Sequence, residues 1–363
     1  MTSILNPAEQ RSDRAVRTYR DHGRPLWRRW LFSREALVFV VLGLVIAYAV
    51  VNVPFFDAPI TMTFLLLDIA PILLIALPMT LIIITGEIDL SVASTVALSS
   101  VLFGVLHEHG TPIAMAALLA LLAGAACGAI NGLLVTALRL PSLAVTIGTL
   151  ALFRGVAVGL LGTKAVTDFP QDWTAWASGQ IGTTGVPLIM IAFAVLAVVF
   201  VLLLHFTAFG RGVYAIGQSK DAARFSGIAV GRTKVILFVL CGLVSAFAGI
   251  YYTLRYGSAR GDNAEGMELQ VIAAVLLGGV SIFGGRGTLP GVVGGVVLIG
   301  VIASAMRLAD YTADVINIVT GGLLVLSVVA PNVAGRRRVR RRPRPAPDAT
   351  PTTDTSTRKG PNP

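Results

Sequence analysis

Apolar residues occupy this chain in ten blocks, at about 36–53, 60–84, 89–107, 112–137, 142–161, 186–206, 235–254, 268–283, 288–306 and 313–330. A helix that crosses the hydrocarbon core of a bilayer needs roughly twenty predominantly apolar residues. The pattern therefore predicts an all-α, polytopic membrane protein of about ten transmembrane helices. The eighth block is short and is flanked by Gly-Gly pairs at 278–279 and 284–285. An even number of spans returns the two ends of the chain to the same side.

Charge decides which side that is. If the N-terminus starts inside, the inner loops receive Arg139, Arg211, Lys220, Arg224, Arg232, Lys234 and Arg286, whereas the outer loops receive only Lys164, Arg255, Arg260 and Arg307. Most acids of the connecting segments fall outside. Basic residues are retained on the cytoplasmic side of membrane proteins, so both termini are predicted to be cytoplasmic and the chain to sit in the plasma (inner) membrane. Trp27 and Trp30 stand where an inner interfacial aromatic belt belongs. Residues 1–33 do not read as a secretory signal, because their Arg-rich stretch is long and no small-residue cleavage site follows the first apolar block.

The composition agrees with this reading: 55% of the 363 residues are hydrophobic, 13% are charged, and mean hydropathy is +0.78. The net charge of +10 lies in the tails, +5 over residues 1–34 and +7 over 335–363, which leaves −2 for the rest. Basicity placed this way suits anionic lipid and gives no reason to expect a nucleic-acid partner. The expected organisation is a basic cytoplasmic tail at 1–34, a membrane domain at 35–331 with a cytoplasmic loop at 207–234, and a basic, Pro-rich tail at 332–363 expected to be disordered. A longer outer segment, about 162–185, carries Phe169, Trp173 and Trp176 at a spacing that suits a short helix resting on the outer interface.

The long polar interruption at Tyr214–Ile228, YAIGQSKDAARFSGI, stands apart. Gly217 is expected to break the incoming structure, Asp221 to sit near the start of a short helix, and Ala222, Ala223 and Arg224 to continue it until Gly227 ends it. The reading is a short helix across the cytoplasmic mouth, small enough in its side chains for another protein's surface to approach. The bland alternative is an ordinary solvated loop.

Polar groups inside apolar blocks are costly unless the bundle or a wet cavity satisfies them. Asp68 and Arg154 lie at similar depth below the outer surface and are expected to pair, either as a structural ion pair or as part of a solute pathway. Gly86-Glu87-Ile88-Asp89-Leu90-Ser91 is either a plain turn or a discontinuous helix facing a cavity. Asn131, Thr146 and Thr149 are further pathway candidates that helix packing would also employ. Ala123–Ala129 and Gly291–Gly300 are rich in small residues, which let helices approach closely.

No catalytic constellation is present. The chain lacks GxxxxGK[ST], HExxH and GxSxG, and its four histidines (22, 107, 109 and 205) are scattered. Cys127 and Cys241 each sit within an apolar block, so they read as packing residues, with no disulfide or metal site indicated.

Four motifs taken together are more specific: TGEIDLSVASTVALSS at 85–100, LPSLAVTIGTLALFRG at 140–155, GRGVYAIGQSKDAARFSGI at 210–228 and AVLLGGVSIFGGRGTLPGVVGG at 274–295. Over about residues 36–331 the chain resembles the permease subunits of ribose-type ABC importers, in the branched-chain amino-acid/ribose superfamily. That resemblance implies about ten transmembrane helices, a dimer of identical or related permeases, two cytoplasmic ATPase subunits that bind ATP and Mg, and an external sugar-binding protein. It makes Gln218–Ile228 the helix that docks on the ATPase, with Gly217, Ala222, Ala223, Arg224 and Gly227 on the motif. The TLALFRG stretch and the external aromatic segment look more like the rhamnose and autoinducer-2 members than the ribose ones, with purines and nucleosides still open. A stand-alone secondary transporter or channel is the alternative, and it gives no reason for the Tyr214–Ile228 helix.

Overall fold

A computed structural model of the chain describes residues 34–340. Trp27, Trp30 and most of both tails lie outside the described residues. Thirteen helices are formed among the described residues: α1 (Arg34–Asn52), α2 (Pro59–Ile84), α3 (Val92–Glu108), α4 (Ile113–Thr136), α5 (Ser142–Leu161), α6 (Gln171–Ser178), α7 (Ile189–Phe206), α8 (Ala208–Gln218), α9 (Lys220–Phe225), α10 (Val230–Tyr256), α11 (Met267–Leu277), α12 (Leu289–Leu308) and α13 (Ala313–Arg340). No strand occurs among them, and the two isolated β-bridges join Val166 to Ala259 and Gln180 to Pro187. Each of the ten apolar blocks contains a helix. Seven helices are long and apolar enough to cross a membrane, and α3, α11 and the Ala313–Ser327 part of α13 are shorter apolar helices.

The bundle is built around α2. Of its most apolar stretch 94% is buried, against 17% for α1 and for α7, whose outward faces suit lipid. Two prolines, Pro71 and Pro78, sit inside α2. Their missing N–H groups are tolerable in a helix enclosed by others that can re-satisfy the freed carbonyls. Against α2 pack α7, α10, α11 and α12. The predicted close approach is realised where α4 crosses α10. A methyl group on Gly128 or Gly242 would collide with the facing helix backbone, the Phe238 carbonyl in one case and the Gly124 carbonyl in the other. Small residues at such a seam replace the hydrophobic drive that lipid removes.

Two expected spans are interrupted. The block at 89–107 becomes helical only at Val92, after a non-helical segment at 85–91. The block at 268–283 is helical only to Leu277, so α11 is about 17 Å long at ~1.5 Å per residue, near half of a ~30 Å hydrocarbon core. Gly279 at φ 95° turns the chain out of the helix, and a loop with Gly284, Gly285 and Gly287 at positive φ follows. The two interruptions meet, because Gly285 N donates to the Ile84 carbonyl at 2.8 Å.

The connecting segments sort into two ends as the charge pattern predicts. At one end Thr63 Oγ1 donates to the Gly185 carbonyl (2.7 Å) and Val166 pairs with Ala259. At the other, Ile88 N donates to Ser142 Oγ (3.2 Å) and Thr288 Oγ1 to Glu35 Oε1 (2.7 Å). The expected outer helix is α6. Trp173 and Trp176 on it are partly exposed, but Phe169 turns inward and stacks on Phe103 with ring centroids 5.6 Å apart. At the C-terminus α13 runs on to Arg340, past the expected domain boundary at 331.

Candidate functional site

The 207–234 loop folds as two short helices ahead of α10. Thr207 Oγ1 accepts from Gly210 N (3.1 Å) and starts α8, and Ser219, extended at φ −162° and ψ 115°, separates α8 from α9. Ser219 Oγ then accepts from Ala222 N (3.3 Å), satisfying one of the free N–H groups at the start of α9. At the far end Gly227 N donates to the Arg224 carbonyl (2.9 Å) and Ile228 N to the Ala223 carbonyl (3.0 Å), with Gly227 at φ 80°. Gly227 therefore ends the helix as predicted, by taking the left-handed conformation that a glycine adopts without strain.

Gly217 does something else. It lies within α8, and the break falls at Ser219. A Cβ on Gly217 would collide with the Ile84 carbonyl and with Gly285 N. Gly217 is thus the point where the stem of the loop touches both interrupted segments at once. Tyr214, one turn earlier, donates its hydroxyl to the Gly287 carbonyl at 2.7 Å. Ala223 also departs from expectation. It is buried with Ile216 and Val230 and holds α9 onto the bundle. The face that α9 offers outward is Asp221, Ala222, Arg224 and Phe225, and Phe225 is 93% exposed.

Beneath α9, Glu87 forms an ion-pair cluster. Its Oε1 takes Lys220 Nζ at 2.8 Å, from the first residue of α9, and Lys234 Nζ, from the first turns of α10. The Glu87 and Lys234 side chains are 7% and 8% exposed, whereas Lys220 is 49% exposed. Burial pushes the Glu87 carboxyl up, but hydrogen bonds from Lys220 and Lys234 outweigh it and hold the group below the usual carboxylate range. Burial lowers the Lys220 ammonium, and the Glu87 contact raises it above its ordinary value on balance.

The rest of the 85–91 break is closed inside the protein. Asp89 Oδ1 accepts from Ser91 N (2.9 Å) and Ser91 Oγ (2.7 Å), and Asn131 Nδ2 donates to Ser91 Oγ (2.7 Å). Thr146 Oγ1 donates to the Ser142 carbonyl (2.9 Å) and reaches the Ile88 carbonyl (3.3 Å), and Thr149 Oγ1 lies 3.4 Å from the Thr146 carbonyl. Glu87, Asp89, Asn131, Thr146 and Thr149 are therefore brought together, all buried. They form a polar seam joining the break to α4 and α5, in place of the plain turn that the residues also allowed.

Asp68 and Arg154 do not pair. Asp68 Oδ2 takes Arg307 Nη2 at 3.1 Å, and its other oxygen lies 3.5 Å from the Tyr256 hydroxyl. Arg154 Nη1 instead donates to the carbonyls of Gly261 (2.9 Å) and Asn263 (2.8 Å), tying α5 to the outer loop after α10. Asn263 is held in turn by Ser100 Oγ (2.9 Å). The partners of both residues come from elements that a shared depth does not identify. Sequence reasoning missed Lys220, Lys234, Tyr214 and Arg307 as site residues. The signal for Lys234 was a lysine only four residues into the helix that forms the seventh span.

Comparison with known proteins agrees with these features. Residues 61–328 match the family described as branched-chain amino acid transport system / permease component, and the chain belongs to that family. It is a multi-pass membrane permease. It is 35% identical over 315 residues, 85% of this chain and 94% of the relative, to the autoinducer 2 import system permease protein LsrD of Escherichia coli K12. The LsrD proteins of Shigella flexneri and of Escherichia coli O157:H7 match to the same extent. No solved structure matches the chain significantly.

Proposed function

We propose that this chain is the membrane-spanning permease subunit of an ATP-binding cassette importer for a sugar-like solute of the autoinducer-2 kind. ATP and Mg are bound by separate cytoplasmic ATPase subunits, and α9 is the surface on which one of them docks. A second permease, identical or related, completes the membrane unit, and an external binding protein delivers the solute. The observation that carries this reading is the construction of α9. Its inner side is tied to the 85–91 segment by the Lys220–Glu87 pair and packs through Ala223 on Ile216 and Val230, the α8 stem before it touches both interrupted segments at Gly217, and its outer side presents Arg224 and a projecting Phe225.

In this mechanism the closure of two ATPase subunits moves α9, which carries the 85–91 segment through the Lys220–Glu87 pair, and the α8 stem carries both that segment and 284–287 through Gly217 and Tyr214. Those segments begin α3 and precede α12, so displacement at the cytoplasmic surface reaches the helices of the bundle as a rigid-body shift. ATP state and solute affinity are then linked reciprocally. Phe225 is the anchor of the contact, since large apolar side chains that fill a partner's pocket dominate most interfaces.

Co-purification tests the proposal. The wild-type chain expressed with its ATPase is expected to retain it through affinity capture, and Phe225→Asp to lose it with no change in the amount of chain in the membrane. Equal retention by both would remove α9 as the docking surface.

A further inference from the structure

We infer that the cleft between α2, α11, α12 and α13 is a contact site for a neutral polyhydroxylated solute of single-ring size. It is an open cleft of about 320 Å³ and includes Asp68, Gln270, Arg307, Asn317 and Thr320 in its lining, with Ile72 deeper in. Asp68 and Ile72 lie about 14 and 20 Å from the outer end of α2 at ~1.5 Å per residue, so the cleft descends into the membrane.

Its chemistry is specific. Asp68 and Arg307 face each other at 3.1 Å and cancel in charge, which disfavours a charged ligand. The Gln270 and Asn317 side-chain amides make no hydrogen bond with another described residue, while Thr320 Oγ1 bonds only its own helix, to the Ile316 carbonyl at 2.9 Å. One unpaired amide from each of α11 and α13 and an ion pair between α2 and α12 line the cleft, and hydrocarbon would desolvate each of them without compensation. The lining is therefore wet. It offers a carboxylate that accepts, a guanidinium that donates, and amides that do both, which is the complement of vicinal hydroxyl groups. Apolar neighbours such as Ile69, Ile72 and Ile299 supply the remaining surface, and the volume lies at the lower end of the ~300–1,000 Å³ usual for small-molecule sites.

This inference rests on the importer reading for its solute class but not for its test. Ala303 lines the cleft without using a polar group, and the native Cys127 and Cys241 are buried. Intact cells expressing Ala303→Cys are treated from outside with a membrane-impermeant maleimide, with autoinducer-2, D-ribose or L-leucine added as competitor. The expected result is modification that either sugar-like compound suppresses and leucine does not. Adding Gln270→Ala is expected to raise the protecting concentration about tenfold, the loss of roughly one hydrogen bond. Absence of modification, or modification that neither sugar-like compound suppresses, overturns the cleft. Protection seen in cells whose solute uptake continues without an ATPase would keep the cleft and discard the importer reading.

Discussion

Glu87→Gln is the substitution whose outcome the structure specifies best. Glu87 and Lys234 are 7% and 8% exposed, so neutralising the acid strands an ammonium that water does not reach. Breaking a buried pair from one side costs about 3–5 kcal/mol. Lys220, at 49% exposure, re-enters water when it loses its partner, and an exposed pair is worth about 0–1 kcal/mol. Glu87→Gln should thus destabilise the solubilised permease by at least about 2 kcal/mol more than Lys220→Ala. The penalty comes from the isolated charge, so Glu87→Gln combined with Lys234→Met should regain most of the loss, since apolar replacement of a whole buried pair is often neutral. Thermal unfolding in detergent, followed by intrinsic tryptophan fluorescence, measures the wild type, these three variants and Lys234→Met alone. A double variant as unstable as the sum of the two single variants would refute the reasoning, as would equal stabilities for Glu87→Gln and Lys220→Ala.

Other outcomes follow from the same geometry. The depressed Glu87 carboxyl stabilises the fold above its unfolded value of about 4.3, a contribution lost as pH falls through the lower folded value. The raised Lys220 ammonium contributes below about 10.4 and is lost as pH rises through its higher folded value. Protection of the 207–229 loop against hydrogen exchange, corrected for intrinsic rate, should accordingly fall as pH drops below about 4.3; protection unchanged there would contradict the cluster. Gly217→Ala should abolish assembly or uptake through its collision with Ile84 and Gly285, while Gly231→Ala, whose added Cβ meets Thr136 only at 3.9 Å, should retain both. Ala223→Asp should expose the loop to proteolysis even without any ATPase, because that position is 2% exposed and faces Ile216 and Val230; resistance equal to wild type would show that it faces outward.

Much of the architecture was legible because membrane helices announce themselves by length and hydropathy, and the two ends by the side on which arginine and lysine accumulate. The short α11 was foreshadowed by its Gly-Gly pairs, and the end of α9 by Gly227. Pairing was not legible. Lys220 and Lys234 lie 133 and 147 residues from Glu87, and a one-dimensional pattern holds nothing that selects among inner-loop acids. Asp68 and Arg154 shared a depth, but depth leaves rotation about each helix axis undetermined, and rotation gave Asp68 to Arg307. The inward aspect of Ala223 escaped for a related reason, since six residues are too few for a period of 3.6 to mark a face. Gly217 read as a helix break because glycine permits one, whereas here its missing Cβ makes room for two backbones.

The central claim is that movement of α9 by a bound ATPase drives solute through this chain. Its most direct test is accumulation of radiolabelled autoinducer-2 by proteoliposomes that hold the permease unit and ATPase, with binding protein on the side opposite the ATPase. The account predicts accumulation that requires ATP, the ATPase and the binding protein together, and that falls to background with Phe225→Asp. Accumulation by the permease alone, driven by an ion gradient and indifferent to Phe225, would contradict it.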